Sequence, residues 1–194
     1  MDTDTFNQAI QLIDQANAED PNKETWQGNE YSKEVLYSMR MSETLASFAP
    51  EAEQALQIAA RCQHICRWEH PRSEYEMNRQ GYLLWRQELK KFHAKKATTI
   101  LTSVGCKAEI IEQVEFLVLK KQLKRNPQTQ TLEDVICLVF LEHYFDDFIA
   151  KHSEEKLISV LQKTWAKMSE QGHQAALGLS LSEDANALVA KALS

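Results

Sequence analysis

The chain has 194 residues, 43% of them hydrophobic, with five Gly, four Pro and a formal net charge of −6. That length suits one domain over 1–194, the apolar fraction suffices for a core, and so few chain breakers argue against an all-β protein and against extended disorder. The start, Met1-Asp2-Thr3-Asp4, is acidic and lacks an apolar signal core, and the longest apolar run, Val135 to Leu141, is far shorter than the ~18 residues of a membrane span. A cytoplasmic protein with no membrane partner is expected.

Helical periodicity dominates the rest. Residues 6–16 carry Phe6, Ile10 and Ile13 on one face, and Asp20-Pro21-Asn22 breaks that helix. A second helix is predicted over 31–48. A third starts at Ala49-Pro50-Glu51, a proline followed by an acid suited to a helix start, and runs through Ala55, Ile58, Ala59, Cys62 and Cys66 to about Trp68. The polar stretch 69–80, with Gly81 as hinge, is the longest candidate loop. A long helix follows over 82–104 with Gly105 as its C-cap, then helices over 107–123, 131–150 and 153–170. Residues 172–180 read as mixed, and Ser182 caps a last helix to Leu193. The expectation is a compact all-α bundle of about seven or eight helices, with no strand.

Charge and cysteine add detail. Residues 61–125 hold 14 Lys/Arg against 7 Asp/Glu, and the remainder holds 8 against 21. A basic middle between acidic flanks suits a small phosphorylated or anionic ligand, with nucleic acid as a secondary reading because no dense basic run occurs. A solvated set of helix faces is the plain alternative. Cys62, Cys66, Cys106 and Cys137 form no secreted framework, and buried reduced thiols are expected. A homodimer is an option for a helical domain of this size.

Three segments carry candidate chemistry. In Arg61-Cys62-Gln63-His64-Ile65-Cys66-Arg67-Trp68 an imidazole sits on an otherwise apolar stretch, which is costly unless it is bonded or ligated. Residues 81–94 place Tyr82, Trp85, Arg86, Lys90 and His93 within a few turns. In Leu132-Glu133-Asp134, a carboxylate heads a strongly apolar helix, either as a cap or as a ligand. Arg67, Arg72, Arg86, Lys90, Lys120 and Lys121 are the candidate phosphate cations, and Tyr82 and Trp85 the candidate ring contacts.

These segments resemble an uncharacterised family, DUF4202. The resemblance rests on Ala59 to Trp68, on Gly81-Tyr82 with Trp85-Arg86, and on Leu132-Glu133-Asp134 with Cys137 to Glu142, and covers roughly 30–170. More distantly, the order of a His after an apolar helix, a later helical His and an Asp heading an apolar helix is similar to HD-domain metal-dependent phosphohydrolases. That likeness implies a divalent metal (Fe, Mn, Zn or Ni) that polarises phosphate. Carried over by position, His64 and Asp134 become metal ligands, joined by His93 and Glu34, with Glu69 or Glu133 as the base. The chain departs from the HD pattern: Ile65 follows His64 where an Asp is expected, Glu34 or Tyr37 falls near the place of the first His, and Lys120 stands where another His is common. The implied site lies between the helices 55–68, 82–104 and 133–150, with 69–80 as its lid or rim. The alternative is a non-catalytic domain on an HD-like scaffold that holds an anionic ligand or a protein partner.

Overall fold

The computed structural model describes residues 1–194. Ten α-helices and one short hairpin gather into two compact units, Met1–Ala46 with Pro50–Lys121 and Ser47–Ala49 with Gln122–Ser194. The helical class expected from composition is what folds. The count exceeds seven or eight because the predicted helix 131–150 breaks at Tyr144, where φ falls to −128°, and because the segment read as mixed forms a helix of its own. No helix is long and apolar enough to cross a membrane.

The first unit opens with α1 (Thr3–Ala18), capped by Asp2, whose carboxylate accepts the Thr5 amide at 2.8 Å. A hairpin that periodicity does not predict follows. Strands β1 (Lys23–Trp26) and β2 (Asn29–Ser32) pair antiparallel, Trp26 opposite Asn29, around Gln27 and Gly28 at φ 49° and 78°. Positive φ at both central residues is the primed turn whose twist suits a two-residue hairpin. Four-residue polar strands and a Gln in place of the usual Asn conceal it in the sequence. Buried Asp20 ties the hairpin down, accepting the Asn22 amide at 2.9 Å and, at the start of α2 (Lys33–Phe48), the Glu34 amide at 3.2 Å. Arg40 of α2 reaches back to Glu24 at 2.7 Å.

Helix α3 (Gln54–Arg61) is shorter than expected at both ends, since Pro50 lies in a turn before it and the chain leaves the helix after Arg61. Its buried face of Ala55, Ile58, Ala59 and Ala60 carries small residues that let α5 (Ala108–Val118) pack against it. Arg61 anchors α3 to α1 through a two-pronged bond to Asp14, 2.7 Å on each oxygen. Helix α4 (Arg79–Ser103) packs along α5 and α1 and ends before Gly105, whose φ of 73° is the expected left-handed stop. Ile13, Leu36, Met41, Ile58, Ile65, Leu101, Val114 and Leu117 are wholly or almost wholly buried and form the apolar centre. Cys62, Cys66 and Cys137 are buried free thiols, while Cys106 is half-buried beside Met1, sulfur to sulfur 3.7 Å.

The second unit is built on α6 (Pro127–His143), with Asn126 as cap and Pro127 at the first position. Short α7 (Phe145–Ile149), then α8 (Glu154–Trp165), α9 (Glu170–Leu177) and α10 (Glu183–Leu193), wrap an apolar cluster that includes Leu138, Leu141, Phe145, Leu157, Leu161 and Met168. Asp134 is the polar pin of this unit. It accepts the Ser169 amide at 2.8 Å and the Ser169 hydroxyl at 2.6 Å, and Ser169 in turn caps α9. The close approach requires Gly172, because a Cβ there would lie 2.6 Å from Asp134 Oδ1. Gly172→Ala should therefore lower stability by about 1–3 kcal/mol, and the loss should shrink in an Asp134→Ala background, where the obstructing oxygen is gone. A double-mutant cycle by urea unfolding checks this, and additive costs would rule out the contact.

Candidate functional site

Four candidate residues from distant parts of the sequence converge within the first unit. Glu34 stands in the first turn of α2, His64 in the run of turns after α3, Arg67 at the start of a 3-10 turn, and His93 midway along α4. The convergence depends on the break in α3. Cys66 adopts a left-handed φ of 52°, and its amide donates to the buried side chain of Asn17 at 3.0 Å. That bond replaces the helical partner the amide would otherwise have, and the turns swing His64 toward Glu34 and α4.

The donor and acceptor inventory fixes the His93 tautomer. Arg67 Nη1 lies 2.8 Å from His64 Nε2 and 3.5 Å from its Nδ1, a position over the ring face and not on either lone pair. His64 Nδ1 faces Glu34 Oε2 at 3.4 Å, with no hydrogen bond between them. A carbonyl only accepts, so His93 Nδ1, 2.7 Å from the Ile65 carbonyl, donates, and His93 Nε2 is left as a lone pair, buried and without a hydrogen-bond partner. The two rings lie 6.0 Å apart, and Tyr37 stacks on His64 at 3.8 Å. Arg67 lies over Trp85 at 5.1 Å.

Burial sets the protonation. It pushes the Glu34 carboxyl up to about 7, although the nearby Arg67 charge opposes it. Burial drives His93 down to about 3 and His64 well below its usual range, and for His64 the Arg67 charge acts in the same direction. Both rings are neutral at physiological pH. The His64 side chain keeps 23% of its surface exposed, whereas His93 is buried.

The loop before α4 is pinned rather than loose. Arg72 donates to the carbonyls of Tyr75, Glu76 and Asn78, and the Tyr75 hydroxyl meets His70 Nε2 at 2.7 Å. Trp85 Nε1 donates to the His70 carbonyl at 3.0 Å, and His70 stacks on Phe92. Gly81, expected as a hinge, is instead where the loop presses on α4, since a Cβ there would collide with the Glu76 carbonyl.

The remaining predicted residues have surroundings of their own. Glu69 is exposed and paired with Lys96 at 2.7 Å. Arg86 and Tyr82 are exposed and bond each other at 3.2 Å, Lys90 is half-buried on α4, and Lys121 is exposed past α5. Lys120 sits at a left-handed φ of 55°, and its charge helps to depress His64. Glu133 and Asp134 belong to the second unit, Glu133 buried with Lys167 at 3.7 Å and Asp134 bonded to Ser169. The Ile65 carbonyl, which fixes the His93 tautomer, has no signature in sequence, because any residue supplies one.

Neither unit contains three or more His, Cys, Asp or Glu side chains arranged as a metal cage. Ligating histidines nearly always give their other N–H to a carboxylate or a carbonyl; His93 does so, to the Ile65 carbonyl, whereas His64 only faces the Glu34 carboxyl without a hydrogen bond.

The mostly helical chain matches over residues 7–189 a family model described as a domain of unknown function, DUF4202. The chain belongs to that family. No curated protein and no solved structure matches it.

The raised Glu34 carboxyl has a measurable consequence. Its folded pKa lies above the unfolded value, so burial costs nothing below pH ~4.5 and destabilises increasingly as pH rises through about 7. Glu34→Gln should gain stability relative to the native chain between pH 5 and 8, by roughly 2–3 kcal/mol. His93 and His64 act in the opposite direction, since their depressed values lose stability as pH falls below ~6.5. Urea unfolding across this range tests both, and a Glu34→Gln difference that stays flat with pH would exclude a carboxyl that titrates near 7.

Proposed function

We propose that this chain is a divergent HD-like domain that holds a divalent metal through His64 and His93 and takes a small phosphorylated ligand, such as a nucleotide or sugar phosphate, for hydrolysis. The observation that carries the reading is the pair of neutral imidazoles 6.0 Å apart, with His93 Nδ1 committed to the Ile65 carbonyl and the Glu34 carboxyl beside His64. In the His93 ring the remaining lone pair is buried without a partner, which is costly unless something binds it. Glu34 faces His64 Nδ1 at 3.4 Å. Arg67, held over Trp85, contributes the cation for a phosphoryl oxygen, with the charges of Arg86 and Lys120 close enough to act on the same ring. A divalent ion held there supplies Lewis-acid charge for phosphate-ester hydrolysis. Iron, manganese, zinc and nickel all suit imidazole and oxygen donors.

The second reading is a binder without turnover, an anionic-ligand domain on an inherited HD-like scaffold. Ile65 in place of an acid and the engagement of Asp134 by Ser169 favour it. Elemental analysis of protein purified untagged and without chelator separates the two. Near-stoichiometric metal in the native chain, lost in His64→Ala and in His93→Ala with helicity retained, is expected. Protein that stays empty after incubation with all four ions would eliminate the metal reading and leave the binder. Full metal content in both variants would eliminate the histidine pair as its ligands.

A further inference from the structure

We propose that the start of the second unit, Gln122 to Arg125, is a phosphate-binding loop that takes the phosphoryl group of a small molecule on the backbone amides of Gln122, Leu123 and Lys124. The loop uses no residue of the metal reading above and is independent of it.

The sequence sets the charge. No Asp or Glu occurs between Glu115 and Glu133, whereas Lys124 and Arg125 both fall within that stretch. The backbone sets the shape. Gln122 and Lys124 hold left-handed φ values of 55° and 73°, and Leu123 between them does not. A side chain at such a φ crowds its own backbone, so glycine usually fills these positions. Neither residue here is glycine. Strain of this kind persists only where the surroundings enforce it, and it gathers at ligand clamps. The enforcing contacts lie within the second unit. The Gln122 carbonyl accepts the Arg125 amide at 2.8 Å and the Asn126 amide at 2.9 Å, and Lys124 Nζ donates to the Met168 carbonyl at 3.0 Å.

Alternation of hand along a chain turns successive N–H groups to one side and makes a concave nest for an anion. The N–H groups so placed are those of Gln122, Leu123 and Lys124, and none of them donates to a protein acceptor. Gln122, Lys124 and Arg125 are exposed, so an anion reaches the loop from solvent. The first turn of α6 lies outside it, because the Asn126 side chain already takes the Thr129 amide. Three convergent donors suit the oxygens of a phosphate monoester better than the flat pair of a carboxylate. The Arg125 guanidinium adds a charge-assisted fork for the same group.

The test is an amide ¹H–¹⁵N titration of the full chain with inorganic phosphate at neutral pH and constant ionic strength, with acetate in a parallel titration. Phosphate should move the Gln122, Leu123 and Lys124 amides downfield together on one saturating curve. Acetate should bind about tenfold more weakly, and Arg125→Gln should weaken phosphate about tenfold while leaving the other amide resonances in place. Adenosine monophosphate should move the same three amides, as a phosphoryl group carried on a small molecule. The readout is local, so phosphate held elsewhere on the chain does not imitate it. Amides that stay put, that drift without saturating, or that answer acetate as tightly as phosphate would overturn the loop, as would unchanged phosphate affinity in Arg125→Gln. None of these outcomes bears on the histidine pair, whose metal content is measured separately.

Discussion

One buried hydrogen bond shapes the first unit more than any other. The Cys66 amide, which a continuing helix would bond to a carbonyl four residues back, instead donates to the side chain of Asn17 on α1. Apolar periodicity through Ala55, Ile58, Ala59, Cys62 and Cys66 favours helix to the end of that run. The helix stops at Arg61 because tertiary partners provide what it would lose. Asn17 takes one orphan donor, the two-pronged Arg61–Asp14 pair fixes the last turn of α3 to the same helix α1, and the left-handed Cys66 reverses the chain. His64 and Arg67 lie on the segment this bond creates, and the Ile65 carbonyl that orders His93 faces inward for the same reason.

The same logic explains what was legible in the sequence and what was not. The helical class, the Gly105 stop and the Ser182 cap are local properties, written in residue type and spacing. His64, Arg67 and His93 were also legible as candidates from residue type and place, whereas Glu34 entered only through the resemblance to HD domains. Their roles were not legible. Whether His64 meets a guanidinium or a metal, and whether Glu34 is a ligand or an orienting carboxylate, depends on which ring nitrogen faces which neighbour. That geometry comes from the break in α3, a decision made by Asn17 some fifty positions earlier. The hairpin leaves no periodic signature because its strands are short and polar, and it is held by Asp20 and the Arg40–Glu24 pair, not by alternation.

Both units hold buried polar groups, some satisfied and some not. In the second unit, Asp134 has donors at both oxygens and Gly172 gives it room, so the group is satisfied and rigid. In the first, Glu34 Oε2 and His93 Nε2 are buried without a normal hydrogen bond, and Glu34 is pushed toward neutrality as a result. Proteins accept unsatisfied buried groups sparingly, and the cost is usually recovered through binding or chemistry at the same place. By that criterion the histidine pair, and not the more conspicuous carboxylate at the head of α6, is where the molecule has kept polar capacity in reserve.

The distribution of thiols gives the chain an unplanned convenience. Burial holds the Cys62 and Cys66 thiols in their protonated form, and Cys137 is enclosed in the core of the second unit, so none of the three presents a reactive thiolate to solvent. Cys106, at the end of α4 and next to Met1, is the one a reagent can reach. Burial raises the Cys106 thiol as well, so what sets it apart is its half-exposed position, in the unit that carries His64 and His93.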